Sequence, residues 1–207
     1  MTLITTLPDV GWPNSVFGRV TEPSLAILSD STNGLIWKID CITGAYSVAV
    51  DIPELKPIPG YPLGVNGIAA TGNLIYFTNT GQGIVGSIGF APNSTAIGDA
   101  TILASNLTQP DELFLVGYNV YVVGDNTFWQ IEDGKATVLA GGHDHVALEG
   151  VTAAKFGKLE KPDSDVVYFS TNGGVAEPVD GVVTGGKILS FNIAIGLAGL
   201  PGPQASS

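Results

Sequence analysis

Positive charge is scarce in this chain. Eight Lys and Arg stand against 19 Asp and Glu, giving a formal net charge of −11 over 207 residues. Too few cations are present to neutralise a run of phosphates, so no nucleic-acid partner is expected. An anionic membrane surface would repel the chain, so no membrane partner is expected either. Charge of either sign is thin, at 13% of residues, where ordinary domains carry about a quarter. A chain this poor in charge and 44% hydrophobic is not a disordered one. Cys41 stands alone, which excludes an intrachain disulfide and suggests a packed thiol. No apolar run reaches the ~18 residues of a membrane-spanning helix. The start, Met1 to Pro8, has no basic segment and does not read as a signal peptide. A cytoplasmic protein is expected from the chain as it stands, and a secreted one if the natural chain is longer. Two sequons, at Asn93 and Asn106, permit secretion without requiring it. No Gly-x-Ser-x-Gly elbow occurs, and no Ser/His/Asp set stands out.

What the chain does have is turns and repetition. It holds 28 Gly and 13 Pro, and four apolar cores recur: Ala26-Ile-Leu-Ser-Asp30, Ile75-Tyr-Phe-Thr-Asn79, Val120-Tyr-Val-Val-Gly124 and Val167-Tyr-Phe-Ser-Thr171. Their last residues are 49, 45 and 47 apart. A period of this length, with several short strands per unit, is the mark of a β-propeller. Each unit divides into four strands between turn residues. The first gives 15–20, 25–29, 35–40 and 46–51; the second, 67–70, 74–78, 84–90 and 100–104. The third gives 112–116, 119–123, 128–132 and 136–140, and the fourth only 152–156, 166–170 and 187–192. The fold class is therefore all-β, a β-propeller of four blade-like repeats over residues 1–193, followed by a Gly/Pro/Ser-rich tail, 194–207. A strand at Thr2–Leu7 is placed to complete the fourth blade and close a four-bladed ring. The alternative is an open four-blade piece of a larger, six-bladed propeller.

Asn33-Gly34 and Asp133-Gly134 are hairpin turns. Gly81-Gln-Gly-Ile-Val-Gly86 fits a dinucleotide-binding glycine pattern, but it lies between strands and reads as a turn, so no nucleotide cofactor is expected. The proline-rich segment Pro53–Tyr61 is expected to lie over the axial mouth as a lid.

Just ahead of each apolar core sits an oxygen-bearing side chain: Asn14, Asn66, Asp111 and Glu149, spaced by 52, 45 and 38. A propeller points equivalent positions at one axis. Two amides and two carboxylates there would suit Ca²⁺ or a similar divalent ion, because hard cations take oxygen ligands. His143 and His145, in Gly141-Gly-His143-Asp-His145, are candidates for acid–base work near the channel mouth, with Asp111 the candidate catalytic carboxylate. Trp12, Tyr61 and Phe114 are candidate apolar walls for a small-molecule substrate. Trp37 and Trp129 hold matching third-strand positions and are expected in the blade core.

Several segments together resemble a known family. They are Leu63-Gly-Val-Asn-Gly-Ile68, Ile75-Tyr-Phe-Thr-Asn-Thr-Gly-Gln-Gly83, Leu148-Glu-Gly-Val-Thr-Ala-Ala154, Phe156-Gly157, Tyr168-Phe-Ser-Thr-Asn-Gly-Gly174 and Gly185-Gly-Lys187. They are similar to the fungal branch of the SMP-30/gluconolactonase/luciferin-regenerating-enzyme-like family. The resemblance runs from about Leu25 to Asn192. It implies a six-bladed propeller, of which two N-terminal blades have no counterpart here. It also implies an axial divalent ion, with Asn14, Asn66 and Asp111 matching the family's Asn, Asn and Asp. The family's metal-binding Glu lies in an absent blade; Glu149 has its local register in a different one. Three functions follow as expectations: a small-molecule tailoring enzyme of fungal secondary metabolism, narrowly favoured as a hetero-Diels–Alder-type cyclase; a divalent-metal lactonase or esterase; or a non-catalytic truncated propeller that self-associates through open blade edges.

Overall fold

The computed structural model describes residues 1–19, 22–91, 95–117, 119–157 and 165–193. Val20, the Asn93 sequon and the 194–207 tail lie outside the described residues. Within them, antiparallel strands form four sheets in chain order. The first holds β1 (Pro13–Arg19), β2 (Glu22–Asp30), β3 (Leu35–Asp40) and β4 (Tyr46–Val50). The second holds β5 (Val65–Thr71), β6 (Leu74–Asn79), β7 (Ile84–Phe90) and β8 (Ala96–Ala104). The third holds β9 (Pro110–Val116), β10 (Asn119–Gly124), β11 (Thr127–Glu132) and β12 (Lys135–Gly141). The fourth holds β13 (Val151–Phe156), β14 (Val166–Thr171) and β15 (Lys187–Asn192). The first strand of each sheet lies against the first strand of the next, β1 on β5, β5 on β9 and β9 on β13. This is a β-propeller of four blades. No helix among the described residues is long and apolar enough to cross a membrane.

The blades hold together through apolar side chains on their middle strands. Strand side chains alternate between faces, so β6 sends Ile75 and Phe77 into the core shared with the first blade and Tyr76 into the core shared with the third. Ile27, Ile36, Val50 and Val65 complete the first of these cores. Val85, Val120, Val122 and Trp129 complete the second. Between the third and fourth blades Phe128 is fully buried, with Phe169 at 5.1 Å and Phe191 at 5.8 Å between ring centroids. Trp37 and Trp129 are both buried, as their matching positions suggested.

The N-terminal segment departs from expectation. Residues 2–7 form no strand and do not join the fourth blade. Instead Leu7 and Val10 cover the outer face of the first blade, on Leu28, Trp37 and Ile39. The cause is Asp30, whose carboxylate accepts the N–H groups of Gly11 and Trp12 at 3.0 Å each. Tyr46 adds a hydrogen bond to Asp9 at 2.8 Å. Among the described residues no buried cluster joins the fourth blade to the first. Val16, Tyr168 and Ile188 are exposed there, at 63%, 42% and 78%. The Pro53–Tyr61 segment is anchored, not free. It opens with a 3₁₀ turn, Pro53–Leu55, whose Leu55 is fully buried. Asn79 Nδ2 donates to the carbonyls of Glu54 and Lys56, each at 2.9 Å.

One irregularity recurs in every blade. The innermost strand carries one residue more than its partner can pair, so each has a β-bulge near its start. In β1 the shift falls between Pro13 and Val16, in β5 between Val65 and Ile68, in β9 between Pro110 and Leu113, and in β13 between Val151 and Ala153. Hydroxyls lock two of these bulges. Thr78 Oγ1 accepts the bulge N–H of Gly67 at 2.9 Å and donates to the Asp111 carbonyl of the next blade at 2.5 Å. Ser29 does the same one blade earlier, accepting from Ser15 N–H at 2.9 Å and donating to the Asn66 carbonyl at 2.6 Å. Thr78→Val keeps the volume and strips both bonds, leaving two buried backbone groups unpaired. It is predicted to cost about 1–3 kcal/mol, read as a lower urea midpoint at unchanged slope. An unchanged midpoint would show that the bulge does not depend on this hydroxyl.

Candidate functional site

The bulges decide where side chains go. An extra residue bends the strand and re-aims it. The second residues of β5, β9 and β13 are Asn66, Asp111 and Thr152, and all three line one cavity of about 180 Å³. The residue just after each middle strand joins them: Thr80, Asp125 and Asn172. Tyr61, Gln109 and Glu177 complete the rim. The second, third and fourth blades and their loops supply this lining.

Asn66 is 4% exposed. Its Nδ2 donates to Thr80 Oγ1 at 2.9 Å, and that hydroxyl donates to the Pro110 carbonyl at 2.9 Å. Asn66 Oδ1 is buried and accepts no hydrogen bond. Buried polar atoms of this kind are few in folded proteins, and this one lies at a cavity wall. Beside it, burial pushes Asp111 up to about 7, with the charge of Glu112 adding to the rise and the Asn66 side chain opposing it. Tyr61 hydroxyl donates to Gln109 Oε1 at 3.2 Å, and Gln109 Nε2 donates to Glu177 Oε2 at 2.9 Å. Burial raises the Tyr61 hydroxyl, and the charges of Glu177, Asp111 and Asp125 raise it further.

His143 sits in an adjoining cleft of about 140 Å³, which shares Asp125, Asn126 and Glu177 with the axial cavity. Its ring Nδ1 lies 3.2 Å from Asp125 Oδ1; the histidine side chain is 66% exposed and the aspartate's only 7%. The hydrogen bond and charge of Asp125 raise the His143 pKa. His145 is exposed and lines neither the cavity nor this cleft.

The oxygen set expected at the axis is only half assembled. Asn66 and Asp111 meet in the cavity. Asn14 is exposed, its Nδ2 donating to Ser31 Oγ at 3.2 Å. Glu149 is fully buried elsewhere, accepting from Val179 N–H at 2.8 Å and Thr184 Oγ1 at 2.6 Å. The Thr184 hydroxyl, the Val179 amide and the charge of Lys187 together hold its carboxyl below the usual range. The reason for the misplacement is register. Glu149 lies two residues ahead of β13, so the fourth blade offers Thr152 where the second and third offer Asn66 and Asp111. Among the described residues no three His, Cys, Asp or Glu side chains converge as metal ligands do. Of the four oxygen ligands expected for a divalent ion, Asn66 and Asp111 line the cavity and Asn14 and Glu149 do not.

The apolar walls are also divided. Tyr61 lines the axial cavity. Trp12 is 58% exposed and lines neither cavity described here. Phe114 stacks on Tyr121 at 5.3 Å and lines a second, larger cavity of about 630 Å³, walled by the innermost strands of all four blades. Phe17, Glu112, Lys155 and Tyr168 also line that space. Thr80, Gln109, Asp125, Thr152, Asn172 and Glu177 are site residues that sequence reasoning passed over. For three of them the signal was present: Thr80, Asp125 and Asn172 each follow the last residue of a recurring apolar core.

The sequence matches no protein-family model, and no curated protein matches it. Solved structures are similar in fold. A nidogen/laminin complex matches with a TM-score of 0.62 at 15% identity, covering 91% of this chain and 62% of that one. The PQQ domain of pyranose dehydrogenase from Coprinopsis cinerea matches at 0.57 and 12% identity, covering 90% and 52%. A luciferin-regenerating enzyme matches at 0.50 and 14% identity, covering 86% and 76%. The chain thus spans between about half and three quarters of the length of these proteins. What they share with it is the β-propeller fold.

Asp111 yields a stability prediction. Its carboxyl loses its proton near 3.8 in an unfolded chain and near 7 in the folded one. Between those values the folded state holds a proton that the unfolded state has released, so stability falls as pH rises through the window. Asp111→Asn is predicted to remove this decline and to raise stability above neutral pH by up to about 4 kcal/mol, measured by urea melts from acid to mildly alkaline pH. Glu149 runs the other way. Its lowered pKa gives stability that is present above its ordinary value of 4.5 and lost as pH falls through the folded value, and Glu149→Gln is predicted to abolish that acid limb.

Proposed function

We propose that the chain is a small-molecule hydrolase that opens a lactone or ester in the axial cavity, with Asp111 as general base. What supports this reading is the place of Asp111: a half-buried carboxyl on the cavity wall, its pKa raised to about 7, beside an amide oxygen with no partner. A general base works best when its pKa lies near the operating pH, and perturbed carboxyls cluster at functional sites. The resemblance to the SMP-30/gluconolactonase-like family supports a lactone or ester as the substrate class. The cycloaddition favoured from sequence needs apolar walls that orient two partners. Trp12 and Phe114, named for that task, do not line this cavity, whereas Asp111 does, which favours hydrolysis.

The step balances within the chain's own residues. A water attacks the acyl carbon while ionised Asp111 takes its proton. The acyl–oxygen bond then breaks, and the protonated Asp111 returns the proton to the leaving alkoxide. A hydroxy acid, or an acid and an alcohol, results. Gln109 holds Glu177 at the rim, and Tyr61 forms the wall beside it. Asp111 is competent only when ionised, so the rate should rise with pH through about 7 and then level off.

A panel of small lactones and esters tests this, assayed with and without EDTA. Asp111→Asn is expected to lower kcat/KM by roughly 10²–10⁴-fold and to erase the limb near pH 7. Hydrolysis unchanged in Asp111→Asn, or no hydrolysis of any ester by the folded wild type, would overturn the reading. The latter result would favour a non-catalytic propeller.

A further inference from the structure

We propose that the axial cavity selects a small organic cation, so that the substrate of the hydrolysis proposed above is an ester or lactone that also carries a protonated amine. The reaction half of this statement rests on that proposal; the charge half rests on separate observations. Three carboxylates, Asp111, Asp125 and Glu177, line the cavity. No Lys or Arg among the described residues does so. A cluster of acids alone says little, but here a neutral acceptor points the same way. Asn66, 4% exposed, commits its amide nitrogen to Thr80 and leaves Oδ1 without a donor. An ammonium supplies N–H donors and no acceptor. It would satisfy Asn66 Oδ1 and balance carboxylate charge at once.

Comparison of the blades strengthens the case. At the bulge position and at the residue after the middle strand, the first blade pairs Asn14 with Ser31 and the second pairs Asn66 with Thr80, each an amide donating to a hydroxyl. The third blade puts Asp111 and Asp125 at the same two places. A neutral amide–hydroxyl pair is replaced by two carboxylates in the middle one of the three blades that line the cavity. Tyr61 and Gln109 then hold Glu177 Oε2 in place at 2.9 Å, leaving its other oxygen for a ligand.

The geometry favours an organic cation over a bare ion. The carboxylates line about 180 Å³ of space, and among the described residues no three acids, cysteines or histidines converge on a point. Tyr61, Leu63 and Ala176 give part of the wall a carbon surface.

Calorimetry on the full chain in EDTA-treated buffer at pH 8 tests the charge half, with n-butylammonium chloride and 1-butanol as a matched pair. The cation is expected to bind at least tenfold more tightly than the alcohol, and Glu177→Gln to weaken it at least tenfold without changing the melting temperature. Equal binding of the two, no saturable binding of n-butylammonium, or binding indifferent to Glu177→Gln would each overturn the proposal. So would CaCl₂ binding that depends on Glu177 while n-butylammonium does not bind. Hydrolysis of ethyl 6-aminohexanoate against ethyl hexanoate separates the two halves. A preference of tenfold or more for the amino ester supports both. Cation binding with no hydrolysis removes the reaction and keeps the selectivity; equal cleavage of both esters keeps the reaction and removes the selectivity.

Discussion

The innermost strand of each blade has one residue too many for its partner, and the site follows from how that surplus is absorbed. A regular strand would send Asn66 and Asp111 alternately to the two faces of a sheet, into cores made of Phe77, Val122 and Trp129. The bulge breaks the alternation and turns them toward the axis instead. Backbone freed by a bulge must find partners in a buried place. Ser29 and Thr78 provide them, and in doing so tie each bulge to the next blade's carbonyl. The same hydroxyls therefore serve local geometry and blade-to-blade spacing. Gly67 shows how tight the fit is: a Cβ there would stand 2.7 Å from the Asp111 carbonyl oxygen and the Glu112 side chain.

Charge in the cavity is a cost that packing elsewhere sustains. Three interblade cores of branched and aromatic side chains hold the blades at fixed separation. Partial burial between those cores, with the charge of Glu112, raises the Asp111 pKa. Glu149 is the contrast within the same molecule. It is more deeply buried, but hydrogen-bond donors from Val179 and Thr184 surround it, so its pKa falls. One carboxylate is saturated with partners and fixes the loop after β14; the other is left short of them and faces a cavity.

Much of the fold was legible in the chain. The period near 47 residues, the apolar cores and the turn residues gave the blades and nearly every strand to within a few residues, because alternation and turn chemistry are local. What was not legible was closure and register. Thr2–Leu7 has strand character, but Asp30 captures the backbone of Gly11 and Trp12 and draws that segment onto the first blade. Glu149 precedes an apolar core as Asn66 and Asp111 do. Only the pairing of Val151 with Thr171 reveals that Thr152 holds their position. Trp12 stands away from the axial cavity for a related reason: sequence places it beside Asn14, and the strands of the first blade do not line that cavity. Equivalence between repeats could be read from sequence only to within a few residues, and a site needs it exactly at one.

The account stands or falls on whether the bulge of β9 holds Asp111 in a water-poor pocket. Carbon-13 NMR of the Asp111 side-chain carboxyl, followed from acid to alkaline pH and assigned with Asp111→Asn, measures this directly. A titration midpoint near 7 is the predicted result. A midpoint near the ordinary value of 3.8 would mean that the carboxylate is bathed in water, and that the cavity described here is not what gives the side chain its chemistry.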